Sequence, residues 1–249
     1  MDFEYLFALL CSGVVKGSIY ALIALGYTMV YGIIQLINFA HGEIYMVGAF
    51  VALIITGVLT LCGYSGLSVL VLAAVIAVIY AAAYGYTLEK IAYRPLRNAP
   101  RLSPLISAIG ASIFLMNYVQ IVQTPDFLPF PELIPEFEFM ADYSGFMSSA
   151  DLVILIVTTV TMIALTILIK FTRIGKAMRA TQQDMIMARL VGINVDRVIS
   201  WTFIIGSILA AIAGVLIGSR TGQINTAIGF MAGIKAFTAA VLGGIGNIP

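Results

Sequence analysis

Lys16, Glu43 and Lys235 fall inside long apolar runs of a 249-residue chain. A charge in such a run must be paired, solvated or functional. Lys16 lies about midway along the first run, where it is one half of an ion pair (with Glu43 the candidate partner), a snorkelling ammonium, or part of a path. Glu43 stands at the start of the second run beside the single histidine, His41. It can cap a helix N-terminus, where a carboxylate is favoured, or move a proton with His41 or Lys16. Lys235 interrupts the last run and points into water, toward a carbonyl cluster, or into the same path.

Enzyme chemistry finds little support. One histidine leaves a metal site without its second imidazole, and no Ser–His–Asp set can be assembled around it. Gly13-Val14-Val15-Lys16-Gly17-Ser18 has the wrong order for a phosphate-binding loop. The expectation is therefore no catalytic residue, no metal and no cofactor held by this chain. Cys11 and Cys62 lie in apolar runs and read as small buried hydrophobes.

The elements that must position these residues follow from composition. The chain is 61% hydrophobic and 10% charged, whereas soluble domains carry roughly 25% charged residues. So much apolar surface needs a bilayer as second solvent, and a span takes about 20 apolar residues. A net charge of +1 argues against a nucleic-acid surface. Seven apolar segments stand out, near 5–31, 43–62, 67–88, 104–123, 151–171, 198–219 and 227–247. The last, with Lys235 inside it and Gly243, Gly244 and Gly246 at its end, spans or re-enters. The acidic start, Met1-Asp2-Phe3-Glu4, is unlike a cleaved signal peptide, so the first segment is expected to be retained.

Lysine and arginine bias sets orientation. Lys90, Arg94, Arg97 and Arg101 lie between segments three and four, and Lys170, Arg173, Lys176, Arg179, Arg189 and Arg197 lie around the junction of five and six. Both stretches are expected in the cytoplasm. Residues 124–151, with Asp126, Glu132, Glu136, Glu138, Asp142 and Asp151, are expected outside, as is the N-terminus.

Small residues four apart let helix backbones approach closely. They recur at Gly206, Ala210, Gly214 and Gly218, at Ala73, Ala77, Ala81 and Gly85, and at Gly13, Gly17 and Ala21. The chain also repeats itself. Residues 37–52 align without a gap on 224–239, with Ile37, Asn38, Ala40, Gly42, Ala49, Phe50 and Ala52 matching Ile224, Asn225, Ala227, Gly229, Ala236, Phe237 and Ala239. A Gly-Ser-Ile-x-Ala run precedes each block, at Gly17–Ala21 and Gly206–Ala210. By the charge bias the two preceding segments run in opposite directions, so the halves read as inverted repeats. Asn38 and Asn225 become equivalent polar positions near the bundle centre. The fold class is all-α: one polytopic transmembrane bundle over 1–249 with inverted repeats.

The cytoplasmic stretch 175–198 predicts a short helix. Thr181 is placed to cap it, with Asp184 as the acid of a capping box, and Gly192 to end it. Met185, Ile186, Ala188 and Leu190 give it an apolar side. It lies on lipid headgroups or docks into a cytoplasmic partner, with Arg179 and Arg189 against an acidic rim.

These residues resemble the branched-chain amino-acid ABC permeases. Gly17-Ser18-Ile19-Tyr20-Ala21-Leu22-Ile23-Ala24-Leu25-Gly26-Tyr27-Thr28 and Ile37-Asn38-Phe39-Ala40-His41-Gly42-Glu43 are similar to that family's first block. Ala92-Tyr93-Arg94-Pro95-Leu96-Arg97 is similar to its first cytoplasmic loop, and Leu190-Val191-Gly192-Ile193-Asn194-Val195-Asp196-Arg197 to the end of its coupling loop. Gly229-Phe230-Met231-Ala232-Gly233 through Gly243-Gly244-Ile245-Gly246-Asn247-Ile248-Pro249 resembles its late block. The resemblance implies a bacterial inner-membrane importer subunit for branched-chain or similar small amino acids, in a family that also holds urea and short-amide permeases. It implies a second homologous permease, two cytoplasmic ATPases that bind the ATP, and an extracytoplasmic binding protein. Arg179, Thr181, Asp184, Met185, Ile186, Arg189 and Gly192 would then form the ATPase-coupling segment. Family members usually continue beyond the motif at which this chain stops, Pro249, so helices of the family are expected to be missing. The rival from another class is an ion-coupled secondary carrier.

Overall fold

The computed structural model describes residues 3–97, 99–100, 102–137 and 146–244. Arg101, Glu138, Asp142 and the glycine–proline end at Gly246–Pro249 lie outside the described residues. Backbone buried in hydrocarbon must satisfy its own polar groups, and the helix does so within one segment. The long helices are α1 (Phe3–Ile34), α2 (His41–Leu61), α3 (Leu67–Leu88), α4 (Leu102–Val122), α5 (Ser149–Phe171) and α8 (Val195–Thr221). All six are long and apolar enough to cross a membrane. Between α5 and α8 lie α6 (Arg173–Gln183) and α7 (Met185–Leu190), and α9 (Ile228–Leu242) follows α8. With 15 residues, α9 reaches about 22 Å, short of the roughly 30 Å hydrocarbon core. Among the described residues the last apolar segment is thus a shorter helix than the six long ones, entered through a turn and an extended stretch at residues 222–227.

Helix α8 is the axis, packed against α1, α2 and α3. Its small residues explain the closeness. Gly206 abuts Gly26, Gly214 lies on the backbone of Tyr45 and Ala49, and Gly218 is covered by the Phe130 ring. Ala73, Ala77, Ala81 and Gly85 make the buried edge of α3, and Gly85 sits on Ser207 and the Phe203 carbonyl. The third expected seam is different: a Cβ at Gly13 or Gly17 would meet nothing among the described residues. That face of α1 is open. The cysteines also depart from expectation, since Cys11 is half-buried and Cys62 is exposed at the end of α2.

The two ends of the bundle differ in chemistry. At one end Arg220 Nε donates to Asp151 Oδ1 at 2.6 Å and Arg220 Nη2 to Ser12 Oγ at 3.1 Å. There a short antiparallel pair, Leu128↔Ile224 and Pro129↔Gln223, ties the outer segment to the turn before α9. At the other end both basic stretches converge. Arg97 Nη1 donates to Asp196 Oδ1 at 2.5 Å, Arg94 Nη2 to Asp196 Oδ2 at 3.3 Å, and Arg97 also pairs with the fully buried Glu89. Ser200 Oγ completes this cluster by donating to Glu89 Oε2 at 2.8 Å. Ser12 meets Arg220 while Gly26 meets Gly206, so α1 and α8 run antiparallel, as inverted halves require.

Candidate functional site

The site is built where the two repeated blocks meet. Both helices of the repeat begin without a side-chain cap. Ala40 before α2 has φ −72 and ψ −5, and Ala227 before α9 has φ −77 and ψ −12. In both turns the asparagine carbonyl accepts the amide three residues on: His41 N–H to Asn38 at 3.0 Å, and Ile228 N–H to Asn225 at 3.4 Å. Gly42 rests against Gly229 and Gly233, while Gly229 rests against Gly42 and Met46. Gly42 aligns with Gly229 and Met46 with Gly233, so these contacts exchange with one another, as a local two-fold axis demands. A Cβ at Gly42 or Gly229 would collide with the facing backbone carbonyl. The two helix N-termini thus converge, and each contributes the positive end of its dipole.

This meeting point lies well inside the bundle. His41 packs on Gly26 and Gly206, and Gly26 is eight residues before the end of α1, about 12 Å along its axis. Residues 35–40 therefore return through the bundle as irregular backbone, beginning at Gln35 with φ 53. Such backbone is tolerated at depth only inside protein. Asn38, His41 and Glu43 are each about 1% exposed. The Tyr93 hydroxyl donates to Asn38 Oδ1 at 2.8 Å, which pins the return strand to the end of α3. The His41 ring lies edge-on to Tyr27, with centroids 4.8 Å apart.

Glu43 accepts a hydrogen bond from Ser112 Oγ of α4 at 3.1 Å through Oε1. Its Oε2, His41 Nε2 and Asn38 Nδ2 have no hydrogen-bond partner among the described residues. Beside the carboxylate is a cavity of about 260 Å³ lined by Tyr27, Phe39, Ile109, Ser112, Ile113, Met116, Phe230, Gly233, Ile234 and Phe237. Apart from Glu43, Ser112 and the Tyr27 hydroxyl, its lining side chains are hydrocarbon or thioether.

Two expected residues lie elsewhere. Lys16 is exposed and makes no ion pair with Glu43, whose neighbour is Ser112. The pairing fails because Glu43 starts its helix at the level of Gly26 and Tyr27, about ten residues beyond Lys16 along α1. Lys235 is exposed on α9 with its Nζ 5.8 Å from the centre of the Tyr20 ring. Asn225 is half-buried in the turn before α9.

At the basic end the helix boundaries need correction. Thr181 caps nothing: it is buried within α6 and its hydroxyl donates to the Ala177 carbonyl at 2.8 Å. The cap of α6 is Thr172, which accepts from Gly175 N–H at 3.1 Å. Asp184 caps α7 instead, accepting from Ile186 and Met187 N–H at 2.7 and 3.0 Å. The short helix expected to start at Thr181 is therefore the six-residue α7, separated from α6 by an extended Asp184 (φ −157, ψ 111). Gly192, at φ +86, ends it. Arg179 is occupied in capping α5, donating to the Ile169 carbonyl at 3.0 Å. Met185 and Ala188 face the bundle, whereas Ile186, Met187, Leu190 and Val191 are exposed, Ile186 by 71%. Arg189 is exposed beside them.

The sequence reading passed over Tyr27, Tyr93, Ser112 and the Glu89–Arg97–Asp196–Ser200 cluster. Glu89 carried a signal, an acid directly after the apolar run of α3 and followed by basic residues. Ser112 and the tyrosines carried none, since single hydroxyls in apolar helices usually bond their own backbone.

Residues 9–249 match the family described as branched-chain amino acid transport system, permease component. The high-affinity branched-chain amino acid transport system permease protein LivH of Salmonella typhimurium is 52% identical over 252 residues, covering 100% of this chain and 82% of the relative. The corresponding permease protein BraD of Pseudomonas aeruginosa is 50% identical over 244 residues, covering 96% of this chain and 80% of its own. A probable branched-chain amino acid permease protein of Methanocaldococcus jannaschii is 28% identical over 94% of this chain and 73% of the relative. No solved structure matches the chain.

Proposed function

The chain belongs to the branched-chain amino acid transport permease family, and we propose that it carries branched-chain or similar small amino acids into the cytoplasm at the expense of ATP hydrolysed elsewhere. It is a multi-pass inner-membrane permease and not an enzyme. The observation that carries the reading is the exposed apolar surface of α7 at the basic end, Ile186, Met187, Leu190 and Val191. An ion-driven carrier has no use for such a projection, whereas a separate ATPase needs something to grip. A short capped helix with an apolar face is a common insert for a protein groove.

The partners follow from this division of labour. Two cytoplasmic ATPases bind the nucleotide, and this chain binds no cofactor. A second homologous permease covers the open face of α1 and the open side of the cavity. An extracytoplasmic binding protein delivers the amino acid to the acidic end, where Leu128–Pro129 pairs with Gln223–Ile224, the stretch that leads directly into α9. ATPase closure shifts the bundle between two arrangements whose populations differ. Asp184, Met185 and Gly192 shape the lever, and Arg189 borders it.

Replacement of Ile186 by Glu tests this. Burial of an isoleucine is worth roughly 1.5–3 kcal/mol, so copurification of the ATPase should fall along with uptake, while the mutant chain inserts normally. Wild-type copurification together with wild-type uptake would leave α7 as a helix lying on lipid headgroups.

A further inference from the structure

We propose that Glu43 and the cavity beside it are an intramembrane binding site for the protonated amine and aliphatic side chain of the transported amino acid. This rests on reading the chain as an amino-acid permease. The carboxylate is 1% exposed, yet only one of its oxygens has a hydrogen-bond partner among the described residues. A buried charge without a counter-charge is costly. Lys16 and Lys235 are both exposed, and Lys235 lies beside the Tyr20 ring. The free Oε2 lies against Gly229 at the start of α9, and the Glu43 side chain is part of the cavity wall. An ammonium has three donors and no acceptor, so it matches the acceptor set of Glu43 Oε2, Ser112 Oγ and the Tyr27 hydroxyl.

The rest of the wall is suited to the other end of the same molecule. Phe230, Ile234 and Phe237 of α9 and Ile113 of α4 offer apolar surface across from the carboxylate. A cavity of 260 Å³ lies just below the roughly 300–1,000 Å³ of pockets for drug-sized ligands, the scale of one small amino acid. The site joins α2 and α9 at their crossing, so a relative movement of the two repeats opens or closes it. A substrate bound there contacts both halves of the chain. The ligand class is therefore a primary ammonium bearing a compact hydrocarbon side chain; an acidic side chain would face Glu43 and be repelled.

The test uses the complete importer in proteoliposomes with Glu43→Gln and Glu43→Asp. Leucine uptake should fall about tenfold or more in Glu43→Gln, with partial retention in Glu43→Asp and unchanged copurification of the partner subunits. A second measurement covers a variant that fails to assemble. Ile234→Cys, made with Cys11→Ser and Cys62→Ser, is labelled with cationic and anionic methanethiosulfonates in the presence and absence of leucinol, which keeps the amine and lacks the carboxylate. With Glu43 in place the cationic reagent should react faster and leucinol should slow it. With Glu43→Gln both effects should vanish. Equal labelling by the two reagents, or full uptake by Glu43→Gln, would overturn the site. An importer with Glu43 that takes up no leucine but keeps the cationic preference would instead sink the permease reading and leave the site standing.

Discussion

Residues 37–52 and 224–239 share a backbone and differ in chemistry. Both enter through an asparagine turn, both start a helix from an uncapped alanine, and their glycines touch across the centre. The first block carries His41 and Glu43 where the second carries Ile228 and Phe230. The first is buried almost throughout, while much of α9 is exposed. Repetition has kept what the crossing requires, close backbone approach, and has left the polar groups to one copy. Function in this chain thus lies in the asymmetry of a symmetric frame.

The largest expected effect provides a reference from outside both blocks. Arg97→Ala leaves Glu89 buried and uncompensated, a change worth about 3–5 kcal/mol, and should lower the thermal midpoint of the purified complex more than any variant within the repeats. Next come the shared glycines. Gly42→Ala pushes a Cβ into the Gly229 carbonyl and Gly229→Ala pushes one into Glu43 Oε2 and the Gly42 carbonyl, and overpacking costs about 1–3 kcal/mol. Similar losses at the two sites would sharpen the comparison, and damage at only one would break the two-fold relation. The asparagines should separate: Asn38→Ala removes the acceptor of the buried Tyr93 hydroxyl at about 1–3 kcal/mol, whereas Asn225→Ala, half-buried, should stay within about 0.5 kcal/mol. Chemical denaturation of the two variants side by side reads this difference. Ser112→Ala removes the one hydrogen bond that Glu43 accepts among the described residues. It should therefore fall with Asn38→Ala at about 1–3 kcal/mol and also weaken leucine uptake at limiting substrate, which leaves Asn225→Ala the smallest effect.

Much of this was legible because the membrane constrains so strongly. Apolar run length gave the spans, basic bias grouped the two stretches that meet at Asp196, and the Gly206–Gly218 spacing marked the face on which α8 is packed. The ungapped match of Ile37–Ala52 with Ile224–Ala239 anticipated a crossing that only glycine permits. Depth was not legible. Lys16 and Glu43 both sit in apolar runs, but the irregular return of residues 35–40 sets their levels apart, and no periodicity encodes that return. Caps were ambiguous for a related reason. Thr172, Thr181 and Asp184 can all cap, and the outcome depends on where Gly175 packs against the end of α5. Glu89 directly follows the apolar run of α3, and no spacing in the sequence encodes its burial against Arg97 and Ser200.

The central claim is that uptake is powered by ATP on partner subunits rather than by an ion gradient through this chain. The direct measurement is leucine accumulation in proteoliposomes, with this chain alone or with its partner permease, ATPases and binding protein, under a proton gradient or with ATP. Accumulation is expected with the full set and ATP only. Concentration of leucine by this chain alone under a proton gradient would contradict the account.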